Sequence, residues 1–197
     1  MQGSGLTGVE RRLDANDLIV SKTDLAGRIT YANRTFIGIS GYTEPELLGQ
    51  PHNILRHPGM PRCVFKYLWE TIASGREVFA YVINRCKNGD HYWVFAHVTP
   101  TFDRSGRITG YHSNRRAPLR VAIRQIEPVY RRLLEAEAGY RSPRDAWQAS
   151  LPVLTSLLSQ RNQSYDQFIA SISPVASDVS DEFADRGHTL QLAGSRR

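Results

Sequence analysis

The stretch PHNILRHPGMP, residues 51–61, places Arg56 and His57 beside a second histidine, His52, on a backbone stiffened by Pro51, Pro58 and Pro61. A guanidinium offers a planar fork of donors that suits phosphate oxygens, and a neighbouring imidazole adds a hydrogen bond or a stacking face. The prolines lower the entropy lost when such a loop orders around a ligand. These are the residue types of a clamp for a phosphate-bearing cofactor, and equally those of a proline-rich loop whose arginine pairs with a surface carboxylate. His52 and His57 are five apart on this loop, and His91, His97 and His112 are scattered over other segments. That is poor spacing for metal ligands, so no metal site is expected.

Two side-chain amides join the candidates. Asn84, in REVFAYVINR, carries a donor and an acceptor on one group. Asn33 is a second amide, and its simpler role is to cap the helix that follows it. Cys63 and Cys86 form neither a CxxC pair nor a disulfide framework, which fits a reducing compartment and two structural thiols. No glycine-rich phosphate loop, GxSxG or HExxH occurs in the chain, so no enzyme is expected.

The elements that position these residues fall into two blocks. DLIVSKTDLAGRITYANRTF reads as two short strands, Leu18 to Ser21 and Arg28 to Tyr31, around the turn TDLAG. Asn33 then caps RTFIGIS, which Gly41 stops, and Thr43 caps a further turn closed by Gly49. PRCVFKYLWETIASG predicts a helix with Val64, Leu68 and Ile72 on one face. EVFAYVINR and HYWVFAHVTPTF are strands joined by KNGD, the strongest hairpin signal in the chain, and RITGYHSNRR is a third. The result is an α+β domain over residues 14–118, a five-stranded antiparallel sheet with short helices on one face. An N-terminal segment, 1–13, precedes it.

Beyond Pro118 the pattern becomes helical. Ile123, Ile126, Tyr130 and Leu133 recur at helical spacing, and Pro128 is expected to start or kink a helix. Ser142, Pro143 and Asp145 open a second helix, and SYDQFIASI is a third and shorter one. This α-helical extension, 119–173, is too small for a core of its own and is expected to pack on the sheet or on another chain. The polar tail 174–197 reads as disordered.

The net charge of +6 comes from scattered arginines, read as solvated faces, since Lys22, Lys66 and Lys87 are the only lysines. With no basic arm, and with a leucine-rich rather than arginine-rich C-terminal helix, no nucleic-acid partner is expected. No apolar run reaches membrane-spanning length and MQGSGLTGVERRLD has no signal core, so a cytoplasmic protein is expected.

The segments YANRTFIGISGYTEPELLGQPHNILRHPGMP, NRCKNGDHYWV and GRITGYHSNRR together resemble the PAS module of bacterial aerotaxis receptors, over roughly residues 14–128. The resemblance implies a PAS fold that holds FAD without a covalent bond and reads redox or oxygen status as a change of conformation. It also implies that Arg56 and His57 lie on a loop over the cavity mouth, turned toward the dinucleotide. Asn84 then meets the pyrimidine edge of the flavin, with Asn33 as a second amide candidate. Receptors of this type continue into membrane, HAMP and coiled-coil segments. This chain has none, so a stand-alone relative is expected that signals to a partner protein or chemoreceptor, as a homodimer. The pattern departs at Gly59, where an acidic residue is usual, and at Val78, where a tryptophan is common. Three readings of the cavity stay open: FAD, haem held by a histidine such as His57, or a cofactor-free interaction module.

Overall fold

The computed structural model describes residues 5–172. The tail expected from 174 onward lies outside them.

Five strands form one antiparallel sheet: β1 (Ile19–Thr23), β2 (Ile29–Ala32), β3 (Val78–Arg85), β4 (His91–Phe102) and β5 (Ile108–Arg116), in the spatial order β2-β1-β5-β4-β3. Register decides what the sheet presents. Ile19 stands opposite Arg115, Arg115 opposite Ala96 and Ala96 opposite Ala80. One row over, Ser21, Ser113, Val98 and Val78 align in the same way. Side chains alternate between faces along a strand, so these two rows share one face. Trp93, Phe95 and His97, with Phe79 and Tyr81 of β3, take the other.

The first face is covered by α1 (Arg34–Ser40), α2 (Glu44–Leu47), the 3-10 turn His52–Leu55 and α3 (Arg62–Ala73). Asn33 caps α1 by accepting the Phe36 N–H at 3.1 Å, and Gly41 ends it in the left-handed region at φ 73°. Such a conformation carries no steric penalty only for glycine. Val64, Leu68 and Ile72 point inward from α3 and are buried with Phe36, Leu47, Leu55 and Met60. Gly110 of β5 is required by proximity instead. A Cβ there would stand 2.3 Å from the Thr23 carbonyl oxygen.

The C-terminal block is α4 (Arg120–Glu137), α5 (Pro143–Gln160) and α6 (Tyr165–Ile172). It packs on α3 and along β3 rather than standing apart. The Tyr130 ring stacks on Trp93 at 6.1 Å, and its hydroxyl donates to the Tyr81 carbonyl at 2.6 Å. Strand β3 is an edge, and covering it removes a row of open pairing groups. Pro128 does not start α4: the helix opens at Arg120 and runs through it. Burial of Ile126, Val129, Tyr130 and Leu133 around the proline offsets the one backbone bond it removes.

The N-terminal segment belongs to the same body. Thr7 and Arg11 donate from their backbones to the Gly89 and His91 carbonyls. Their side chains bind Asp90, and Glu10 pairs with Arg120 at the start of α4.

Candidate functional site

Between the sheet and α3 lies a cavity of about 70 Å³. Helix α3 supplies Phe65, Leu68 and Trp69 as its roof, while Val82, Ala96 and Val98 form an apolar floor. The polar groups come from four elements: Asn84 of β3, Ser21 of β1, Ser113 and Arg115 of β5, and His52 of the 3-10 turn. An apolar chamber with a few converging polar groups is the usual form of a small-molecule site.

Arg115 is the residue that sequence reasoning misses, because scattered arginines read as solvated faces. Its relative exposure is 3%. Its Nε donates to Ser113 Oγ at 3.1 Å, and its Nη2 to Ser21 Oγ and to His52 Nε2, the latter at 2.6 Å. The guanidinium lies 5.1 Å from the Phe36 ring centre. Burial lowers its pKa to about 10, so it is a cation at neutral pH. His52 answers it as a neutral group. Burial first, and the Arg115 charge second, push the imidazole down to about 3. An arginine nitrogen only donates, so His52 Nε2 accepts and the ring proton sits on Nδ1. The signal for Arg115 was period two: Tyr111, Ser113 and Arg115 share a face, whereas Arg116 points the other way.

Of the sequence-predicted residues, Asn84 is brought to the cavity, where it is 4% exposed. Arg56 is not among the lining groups. Its Nη2 donates to the Met60 carbonyl at 2.9 Å and its guanidinium lies over Phe65, so it meets the cavity through that roof residue. Its backbone also bridges to Asn84. His57 accepts the Gly59 N–H on Nδ1 at 3.0 Å and packs 5.5 Å from His91, again outside the lining. Burial, then His91 and Arg85, lower its pKa to about 4. Asn33 uses its amide locally, accepting from Val20 N–H and Phe36 N–H and donating to the Leu18 carbonyl. Val78 is buried in the floor row, and Phe79 lies on the opposite face, stacked on His97. Trp69 lines the cavity and meets Tyr111 edge-on. Both thiols are buried, which raises Cys63 and Cys86 to about 11 and leaves them unreactive.

One further group ties the roof to the C-terminal helices. Glu137, at the end of α4, accepts the backbone N–H of Arg62 at 2.7 Å and of Cys63 at 3.3 Å. The same oxygen accepts Ser150 Oγ of α5 at 2.8 Å. A carboxylate at the first amides of α3 answers both unpaired donors and the helix dipole.

This architecture matches known proteins. Residues 29–115 match the PAS fold family. The chain carries a PAS domain. Over 141 residues, 69% of this chain, it is 43% identical to the aerotaxis receptor of Escherichia coli (strain K12). The nitrogen fixation regulatory protein of Klebsiella pneumoniae is 30% identical over 92 residues, or 47% of the chain. The chain spans 28% of the former's length and 19% of the latter's. Among solved structures, a light-oxygen-voltage domain studied with a flavin analogue superposes with a TM-score of 0.50 at 17% identity, over 58% of this chain and 86% of that one. No helix among the described residues is long and apolar enough to cross a membrane.

The cavity chemistry fits a flavin. Asn84 and Arg115 supply donors for a carbonyl-rich ring edge, Asn84 adds an acceptor, and the walls are apolar. The volume is below the roughly 300–1,000 Å³ of ligand pockets, so a ring of that size requires the α3 roof to move.

Proposed function

We propose that this chain is a non-enzymatic, cytoplasmic redox or oxygen sensor whose PAS cavity holds FAD, and that it signals to a partner protein in aerotaxis-type signal transduction, working as a homodimer. The observation that supports it most is Asn84, a buried amide aimed into an apolar PAS cavity in a chain 43% identical to an aerotaxis receptor over 141 residues. Bound flavin supplies reversible, proton-coupled electron transfer. The carboxamide of Asn84 presents a donor or an acceptor by rotating, so it can answer a change of protonation at the ring edge. Phe65, Leu68 and Trp69 exclude water from that edge. Arg56 and His57 are assigned to the phosphate end: Arg56 exchanges the Met60 carbonyl for a ligand oxygen, and His57, whose Nδ1 accepts the Gly59 N–H, donates to one from Nε2. Movement of α3 then reaches α4 and α5 through Glu137 and Ser150.

An absorption spectrum of the purified chain, followed by reconstitution with FAD and with FMN, tests this reading. FAD binding with flavin bands that bleach on reduction is expected, together with a redox-dependent change in α4–α5 protection that Asn84→Ala removes. A colourless chain that takes up neither flavin rejects it. The small cavity would then favour a cofactor-free interaction module. Haem is disfavoured by placement, because His57 lies outside the lining and His52 already engages Arg115 through Nε2.

A further inference from the structure

The inner end of the cavity holds a cation that no acidic side chain faces. Among the described residues, the lining contains neither aspartate nor glutamate. Arg115 donates hydrogen bonds only to Ser113, Ser21 and His52 and otherwise lies over the Phe36 ring, and His52 is uncharged at neutral pH. These three fix the plane of the fork and occupy Nε and Nη2. Buried Nη1 is left without a protein acceptor. A buried charge without an opposite charge is costly to a fold, and apolar residues of similar volume are commonly more stable in its place. A chain that keeps such a group at its cavity gives up stability for what the group recognises.

We propose that the inner end of the cavity is an anion site, in which Arg115 binds a planar, charge-delocalised anionic group. The inference rests on reading the cavity as a ligand site, not on that ligand being a flavin. Two sources offer the same chemistry: a small carboxylate, or the negatively charged edge of a ring ligand. The 70 Å³ space is several times the roughly 10–15 Å³ that holds one water, so a formate- or acetate-sized group enters with the roof in place. Charge decides the class. A neutral amide of the same shape offers an oxygen to Nη1 but leaves the buried cation uncompensated, so it gains far less than the carboxylate.

Thermal unfolding of the full chain separates these outcomes. Sodium formate and acetate are compared with formamide and acetamide, with ionic strength held by bulky morpholinoethanesulfonate. The melting temperature is expected to rise with the logarithm of formate concentration and to ignore formamide. Arg115→Met is expected to melt higher than the wild type without ligand and to show no formate response. Should that variant not fold, the formate and formamide comparison on the wild type decides alone. Equal responses to formate and formamide, or a formate response kept by Arg115→Met, overturn the proposal. If small carboxylates have no effect, the ring source is tested with FAD before and after dithionite, which adds two electrons and one proton and leaves the ring singly negative. At least tenfold tighter binding of the reduced form, lost in Arg115→Met, then supports the site, and equal affinities overturn it. A formate response in a chain that never binds FAD keeps the anion site and discards the flavin.

Discussion

His52 is held neutral by burial and by the Arg115 charge, with its pKa near 3 against 6.5 when exposed. The sign follows directly. Below pH 6.5 the unfolded chain binds a proton that the folded chain refuses, so stability falls as pH drops from 6.5 toward 3. Each pH unit in that window removes up to about 1.4 kcal/mol. His52→Gln keeps an acceptor for Arg115 and cannot titrate. Denaturant unfolding of both proteins at pH 7 and pH 5 should show the wild type losing about 2 kcal/mol relative to the variant. A difference that does not change with pH would mean that water reaches His52. Asn33 makes the opposite kind of contribution, through local geometry alone. Its amide joins β1 to α1 by three hydrogen bonds. Asn33→Ala should cost about 2 kcal/mol, and Asn33→Asp, which keeps both acceptor bonds, clearly less. Equal losses on denaturant titration would show that the bond to Leu18 matters most.

At the scale of elements, Glu137 is the joint between the cavity roof and the C-terminal helices. Glu137→Ala leaves the Arg62 and Cys63 amides without their acceptor and the Ser150 hydroxyl with the Trp147 carbonyl alone, and a loss of about 2–4 kcal/mol is expected. The loss should be uneven: hydrogen exchange should quicken in α5 and the first turn of α3, and change little in β4 and β5. Uniform quickening would show that the helices unfold only with the sheet. What was legible beforehand follows from sequence separation. Asn33, Gly41, Ser142 and the KNGD hairpin act on neighbours within a few positions, and their types declare their roles. Glu137 and the amides it accepts are 75 and 74 positions apart, and nothing local marks a glutamate near a helix end as a joint. Arg115 was half legible. Its parity within β5 pointed inward, but which face was inward depended on the register with β1 and β4. Asn84 was legible because the resemblance supplied that register. The positions of Arg56 and His57 were not, since the path of a loop depends on what packs under it, here Phe65 and His91.

For the whole molecule, one structural conflict links ligand and output. The cavity volume of about 70 Å³ is too small for a three-ring ligand, so binding one requires α3 to shift from the sheet. The first amides of α3 are held by Glu137 and, through it, by Ser150 of α5. Opening the roof therefore strains or breaks that joint, and a ligand large enough to open it must weaken the docking of α4 and α5. Coupling of this kind is reciprocal: a change that undocks the helices must favour the ligand by the same factor. The Glu137→Ala chain is thus expected to bind FAD more tightly than the wild type, by about five- to tenfold for a coupling of 1–1.4 kcal/mol. Saturating FAD should in turn quicken exchange in α5 of the wild type but add little in the variant, whose joint is already lost. Fluorescence titration of both proteins with FAD, paired with hydrogen exchange at saturation, measures the two halves independently. Equal affinities, with α5 exchange unmoved by FAD, would separate the cavity from these helices. The signal would then have to leave by the uncovered part of the sheet, where Phe79 and His97 stack.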